Sequence, residues 1–410
     1  MDIEIAMNHK TNITTDHMKK IIEEEIRVKD IHCIDDDGIN TKYKLFQLIN
    51  FPSEEYLEAI EDVKIYSGIN GIQVHCYYMN HEESIDDIID NDGEILSIAK
   101  QTLLPSEKFQ NDWDSVIFDT TKNDIKSMLM NYMEASVIFN NNNVSSDIVT
   151  SNKVILLYGP PGTGKTTICH GLAQKLTIRF SHIFQYGIIL EVNTHSLFSK
   201  WFAESGKMVK KLFDRLNKIS SDNNALVFVL IDEVESLATA RNSAMNGSDP
   251  SDAIRVVNAL LTQIDQIRKK TNVVILATSN LTDCIDFAFL SRADIKQYIG
   301  PPSKLARYVI FKSCIDELYN KGLIESNYGI LDYKQLTIFQ EEIIQTNFEN
   351  TSLLLNVVNK CEGLSGRVLR RLPFLAFVYK SLEIPAKFSD FIEAIIFAIS
   401  QQFEQSSSNE

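Results

Sequence analysis

Gly159-Pro160-Pro161-Gly162-Thr163-Gly164-Lys165-Thr166 places three glycines, a lysine and a hydroxyl at fixed spacing. Glycine reaches backbone angles that other residues resist, and it leaves room for N–H groups to converge on an anion. An apolar run at 154–158 precedes the stretch, and a helical pattern at 167–176 follows it. Strand, glycine-rich loop and helix in that order predict a phosphate site rather than an empty turn. The loop amides and the helix N-terminus then hold phosphate oxygens. Lys165 is expected on the β- and γ-phosphates of ATP, and the Thr166 hydroxyl on Mg²⁺.

A second run, 226–231, is apolar throughout and ends in Asp232-Glu233. A carboxylate at such a strand end can join the Mg²⁺ shell through water, the role expected of Asp232. Glu233 is expected to polarise the attacking water as general base. That second acid points to hydrolysis, because phosphoryl transfer to a bound hydroxyl can do without it. A third run, 273–277, leads to Asn280. Its amide can bond both the γ-phosphate and the water, although capping is the commoner job of such a residue. Arg292, just before a last strand, can reach a neighbouring subunit's γ-phosphate. The alternative is a salt bridge with Asp286 or Asp294. Arg367 follows Gly363-Leu364-Ser365-Gly366 at the start of a helix and can touch the same nucleotide from the C-terminal side. Lys200-Trp201-Phe202 sits between a strand at 188–192 and an amphipathic helix at 205–219. Two aromatics in a polar loop are buried anchors or an exposed gripping surface. The charged neighbours Lys200 and Glu204 favour the gripping surface, which suits a device that pulls on polypeptide.

These groups need a scaffold. Apolar runs at 154–158, 188–192, 226–231, 273–277 and 295–299 alternate with helical stretches. That order predicts a parallel sheet covered by helices on both faces, over residues 151–302. Residues 303–403 show only helical spacing and read as a helical lid, and 404–410 as a disordered polar tail. Residues 1–100 read as a small α+β domain, with strands at 2–6, 63–66 and 72–77 and a helix at 15–28. Its acidic run at 82–94 is expected to be a solvated loop rather than a docking surface. Residues 101–150 form a connector, with a helix at 122–139 and then an Asn-rich loop.

The 410 residues carry a formal charge of −15, which argues against broad binding to nucleic acid or anionic membrane. The six cysteines form no C-x-x-C pair, as expected of a reduced intracellular compartment. His75, Cys76 and His81 match no standard zinc spacing and are expected to pack or face solvent. The N-terminus lacks an apolar signal region, and no run is long enough to cross a membrane.

Taken together, the motifs resemble the AAA+ ATPases. Residues 159–166 correspond to Walker A, 226–233 to Walker B, Asn280 to sensor 1, Arg292 to the arginine finger and Arg367 to sensor 2. Segments 196–202, 229–237, 252–258, 292–302 and 363–370 are similar to the pachytene checkpoint protein 2 subfamily, also called thyroid receptor-interacting protein 13. The similarity runs from about residue 104 to residue 403. It implies a homo-hexameric ring whose ATP hydrolysis drives aromatic pore loops that pull on HORMA-domain proteins and open them. It makes Lys200, Trp201 and Phe202 the first pore loop and 240–252 the second. The N-terminal domain would dock the HORMA protein, directly or through a HORMA-like adaptor. It also implies roles in the spindle assembly checkpoint and at meiotic chromosome axes, in nucleus and cytoplasm. Two positions depart from the wider AAA+ pattern: Ala203 replaces a common glycine, and Arg292 stands without a second edge arginine. A competing reading is a nucleotide-switched scaffold or clamp on DNA that uses ATP only to assemble. The acidic balance and the aromatic loop weigh against it. A small-molecule kinase lacks an acceptor site and leaves Glu233 without a role.

Overall fold

Five apolar runs pair edge to edge in parallel in the computed structural model. It describes residues 2–9, 11, 13–29, 49, 51–66, 72–91, 94–118, 124–142, 144, 149, 153–192, 194, 205–237, 252–280, 285–325, 329–332, 335–336 and 348–407. Strands β6 (Val154–Tyr158), β7 (Tyr186–Val192), β8 (Ala225–Ile231), β9 (Val273–Ser279) and β10 (Ile295–Tyr298) stand in the order β10-β6-β9-β8-β7. Every residue of β8 and β9 is buried, as helices on both faces require. Alternate side chains separate the two cores. Val154, Leu156, Val227, Val229 and Ile275 pack with the helices Ser205–Ile219 and Asp252–Ile267. Ile155, Leu157, Leu226, Phe228 and Leu276 pack with the helices Ile125–Asn141 and Lys165–Arg179.

The sheet is not purely parallel, and the N-terminal boundary differs from the expected one at residue 100. Strands β4 (Ile85–Asn91) and β5 (Glu94–Leu104) pair antiparallel with each other, and β5 pairs antiparallel with β7. The acidic stretch expected as a solvated loop is therefore the edge of the large sheet. Its carboxylates mask the strand from a reading based on apolar alternation. Charge is well tolerated at an edge, where it discourages pairing with other chains.

A separate sheet is built from β1 (Asp2–Met7), β2 (Ile60–Tyr66) and β3 (Gln73–Tyr78), in the order β2-β1-β3. Ile3, Ile5 and Met7 of β1 face the helix Thr15–Val28, which contributes Met18 and Ile22. Asp2 and Glu4 alternate with them and meet the C-terminal half of the helix Lys165–Arg179. Lys175 Nζ lies 2.5 Å from Glu4 Oε2, with side chains only 5% and 0% exposed. Arg179 bridges Asp2 and Glu134 at 2.8 Å each. Removing one partner of a buried pair strands the other charge. Lys175→Ala should therefore cost about 3–5 kcal/mol, while a double replacement of Lys175 and Glu4 by Met should be near neutral. Urea unfolding checks this, and a single variant as stable as the parent would contradict it.

The C-terminal helices Lys304–Asn320, Glu349–Lys360, Gly366–Lys380 and Phe388–Ser407 share a core that includes Phe311, Leu354, Leu372, Phe391 and Ile395. The last helix runs to Ser407, so 404–407 continue it rather than forming part of a disordered tail. Gln401 Nε2 donates to Glu404 Oε2 at 2.9 Å, and Gln and Glu extend an exposed helix at little cost.

Candidate active site

The phosphate loop is shaped by close approaches that only glycine permits. Ile299 N–H donates to Tyr158 O at 2.8 Å, which draws the strand after Asp294 against the loop's first residue. A Cβ on Gly159 (φ +144°) would lie 2.2 Å from Ile299 O. That neighbour is backbone and cannot swing aside. Gly159→Ala should therefore lose nucleotide binding in a fluorescent-nucleotide titration, with a lowered melting temperature. An unchanged affinity would show that the loop can shift. Gly162 adopts φ +76°, in the left-handed region that favours glycine, and a Cβ there would lie 2.9 Å from Ser365 Oγ and 3.1 Å from Arg367 Cβ. Arg367 N–H also donates to Gly162 O at 3.2 Å, so the lid helix begins directly on the phosphate loop.

Lys165 opens the helix Lys165–Arg179, and its buried Nζ donates to Gly159 O at 2.9 Å and Pro160 O at 2.8 Å. The ammonium thus sits inside the curl of the loop. Burial lowers its pKa, and the carboxylates of Glu235, Asp232 and Glu233 act against that shift. Thr166 Oγ1 donates to Asp232, 3.2 and 3.3 Å from its two oxygens. The Thr278 hydroxyl also donates to Asp232 and accepts the Glu233 N–H at 3.4 Å. Hydroxyl beside carboxylate is a donor set suited to a hard divalent cation. Among the described residues, no cluster of three or more histidine, cysteine or acidic side chains offers a separate metal site.

Glu233 turns the chain at the end of β8 in the left-handed region, φ +58°. That conformation costs a non-glycine residue about 1 kcal/mol or more and brings both acids to the cleft. Asn280 Nδ2 donates to Glu233 Oε1 at 3.3 Å. The cleft has a volume of about 460 Å³, and Pro161 to Thr166, Asp232, Glu233, Asn280 and Arg367 all line it.

Part of the wall lies outside the sequence motifs. Ser115, Val116, Ile117 and Phe118 line the cleft, with Gly300, Pro301 and Pro302. Ser115 to Phe118 follow directly on Trp113-Asp114, and the Trp113 backbone would lie 2.8 Å from a Cβ on Gly171. Arg370 Nη2 of the lid donates to Ser115 O at 2.9 Å, and Lys64 of the N-terminal sheet reaches Asp114 at 2.8 Å. A wall placed by contacts between distant residues carries no motif, and only the Trp113-Asp114 pair hints at an anchor here.

Arg292 is not brought to the cleft of its own chain. Its Nε and Nη2 donate to Asp265 at 3.0 and 2.7 Å, and Nη1 donates to Ala288 O. The salt-bridge partner is thus Asp265, rather than Asp286 or Asp294. Asp286 instead accepts the N–H groups of Ala288 and Phe289, and Asp294 accepts from Tyr132 Oη at 2.5 Å. Lys200, Trp201 and Phe202 lie outside the described residues, as does 240–251 of the second expected pore loop. Of the cluster around His75, Cys76 is a free thiol whose pKa burial pushes up to about 12, and His81 Nδ1 lies 2.9 Å from Glu107. Among the described residues, no helix is long and apolar enough to cross a membrane.

Residues 155–301 match the family model for the ATPase family associated with various cellular activities (AAA). Residues 303–403 match that for the TRIP13-like, AAA+ ATPase lid C-terminal domain. The pachytene checkpoint protein 2 homolog of Mus musculus is 48% identical over 335 residues, covering 82% of this chain and 76% of that one. A solved structure of C. elegans PCH-2 superposes with a TM-score of 0.74 at 32% identity, over 98% of this chain and 99% of the other. A chain in an E. coli MS115-1 HORMA:CdnC:Trip13 complex shares the fold at a TM-score of 0.54 and 15% identity, covering 72% of this chain and 93% of its own.

Proposed function

This chain belongs to the pachytene checkpoint protein 2 family of AAA ATPases, and we infer that it uses ATP hydrolysis to remodel HORMA-domain proteins. The observation that carries the hydrolytic half is the division of labour between adjacent acids. Asp232 lies against Thr166 on the phosphate loop, while Glu233 lies against Asn280. In this reading residues 159–166 cradle the phosphates, with Lys165 on the β- and γ-oxygens. Thr166 directly, and Asp232 through water, would hold Mg²⁺, which when bound neutralises charge shared by the β- and γ-phosphates. The fit rests on the donor set: the Thr166 hydroxyl lies 3.2 and 3.3 Å from the two Asp232 carboxylate oxygens, hard oxygen donors of the kind a divalent cation takes. Glu233 takes the proton of the attacking water, and Asn280 aims that water and the γ-phosphate. Arg367 reads the nucleotide from the lid, and Arg292 completes the site of the adjoining protomer.

An arginine that serves a neighbour makes contacts head to tail, which close into a ring or run on as a filament. A homo-hexamer is the closed form we assign. The HORMA client is supported by the family and by the HORMA protein present in the E. coli complex with Trip13. Lys200, Trp201 and Phe202 would grip it as the first pore loop, with 240–252 as the second, and the β2-β1-β3 domain would dock it or its HORMA-like adaptor. Action at the spindle checkpoint and on meiotic chromosome axes follows, in nucleus and cytoplasm. The competing clamp on DNA is disfavoured by the charge of −15.

The two readings separate by capture. The Glu233→Gln chain, loaded with ATP and mixed with a purified closed HORMA protein, should co-elute with it in gel filtration and release it in ADP. Absence of co-elution, together with DNA binding that falls steeply with salt, would favour the clamp.

A further inference from the structure

The turn after β8 carries a third carboxylate, Glu235, with no part in the steps above. Val234 and Leu237 are fully buried and anchor the turn, and Val234 N–H donates to Thr278 O at 2.9 Å. Ser236 closes it by donating its N–H and its hydroxyl to Glu233 O, at 3.1 and 2.9 Å. Glu235 is held on this turn with its carboxylate toward the end of β9. There Glu235 Oε1 accepts the backbone N–H of Asn280 at 3.1 Å. The same Asn280 donates its side-chain amide to Glu233 Oε1 at 3.3 Å. Asn280 is therefore held at two points, its main chain by Glu235 and its side chain by Glu233.

We propose that Glu235 is a positioning residue for hydrolysis: by accepting the Asn280 N–H, it sets the angle at which the Asn280 amide meets Glu233, the water and the γ-phosphate. The preceding residue, Ser279, has its carbonyl committed to the N–H of Gly159 at 3.1 Å. That carbonyl and the Asn280 N–H are the two ends of one planar peptide, which thus ties the phosphate loop to the Walker B turn. Loss of the Glu235 contact leaves that peptide held at its carbonyl alone, so the phosphate cradle stays in place while the Asn280 amide loses its fixed angle. The expected signature is a loss in kcat with little change in KM for ATP. The carboxylate is also the foremost of the acids opposing the effect of burial on Lys165. The charge and the hydrogen bond are separable, because a glutamine carbonyl still accepts the N–H.

This inference rests on Asn280 acting in hydrolysis, and steady-state ATPase assays on the assembled chain test both. Glu235→Ala should lower kcat about ten- to a hundredfold, the worth of a hydrogen bond to a charged group, with KM nearly unchanged. Glu235→Gln should recover most of that loss. In an Asn280→Ala background, Glu235→Ala should cost little further, because the two act as one unit. A defect in Glu235→Gln as deep as in Glu235→Ala, or full multiplication of the Asn280 and Glu235 losses, would overturn the inference. A normal Glu235→Ala beside a defective Asn280→Ala would overturn it alone. An Asn280→Ala chain with unchanged kcat would also remove the reading beneath it. Melting temperatures of each variant separate these results from simple loss of fold.

Discussion

Replacing Glu233 with Gln should leave ATP bound and reduce kcat by about 10²–10⁴-fold, the usual worth of a positioned general base. The substitution keeps the size of the side chain, and an amide carbonyl can still accept from Asn280 Nδ2 as Glu233 Oε1 does now at 3.3 Å. The left-handed backbone at this residue, φ +58°, is no harder for Gln than for Glu. Lys165, Thr166 and Asp232 keep their mutual geometry, so nucleotide affinity should hold within a few-fold. What disappears is a carboxylate able to take the proton of water. Single-turnover ATPase assays beside equilibrium nucleotide binding check the prediction. Retention of most of the parental kcat would move the base elsewhere, with Asp232 the nearest alternative.

The second large effect is expected at Arg292. In its own chain the guanidinium is paired with Asp265 and lies away from the cleft, so truncation should not weaken ATP binding there. If the residue acts across a subunit edge, Arg292→Ala should nonetheless lower kcat by about 10³-fold. Lysine should not rescue it, because a point charge lacks the planar fork of donors. Mixing gives the sharpest form of the test. Arg292→Ala chains retain Glu233, and Glu233→Gln chains retain Arg292. A mixed assembly should therefore regain activity that neither has alone. Asp265→Asn serves as control, since it breaks the ion pair but keeps the guanidinium. A Glu233→Gln and Arg292→Ala mixture as inactive as its components would place Arg292 in a structural role within one chain.

How much of this is legible in the sequence varies with the physics of each part. The α/β unit, the helical lid and the small N-terminal sheet domain are legible, because buried parallel strands must be nearly continuous apolar runs and the runs at 226–231 and 273–277 are. The phosphate loop announces itself through glycines whose close contacts leave little choice of residue. The β4–β5 edge stays hidden because its strands carry Asp and Glu, and ladder hydrogen bonds leave no mark on side-chain type. The same holds for the Ser115–Phe118 wall, whose placement depends on Trp113 meeting Gly171, a contact between residues far apart in sequence. Long-range pairing also explains why the partner of Arg292 differs from the expected ones. Asp286 and Asp294 are its neighbours along the chain, whereas Asp265 comes from a separate helix. Glu235 escapes notice for the opposite reason. It lies two residues beyond Glu233, beside an Asp232-Glu233 pair whose carboxylates already have expected tasks.

The N-terminal domain bears on the mechanism in one further way. Its ion pairs land on the helix that begins at Lys165, so the part expected to dock a client is bonded to the helix whose first turn is expected at the phosphates. Buried ionic contacts are costly to break singly and contribute little as pairs, which suits a joint that fixes one orientation rather than one that adds stability.

The most direct measurement is the conformation of a purified closed HORMA protein, followed by ion-exchange elution after incubation with this chain and ATP. The account predicts conversion to the open form that needs hydrolysis and stops with Glu233→Gln. Rapid ATP turnover by an assembled ring that leaves the HORMA protein closed, with and without its adaptor, would contradict it.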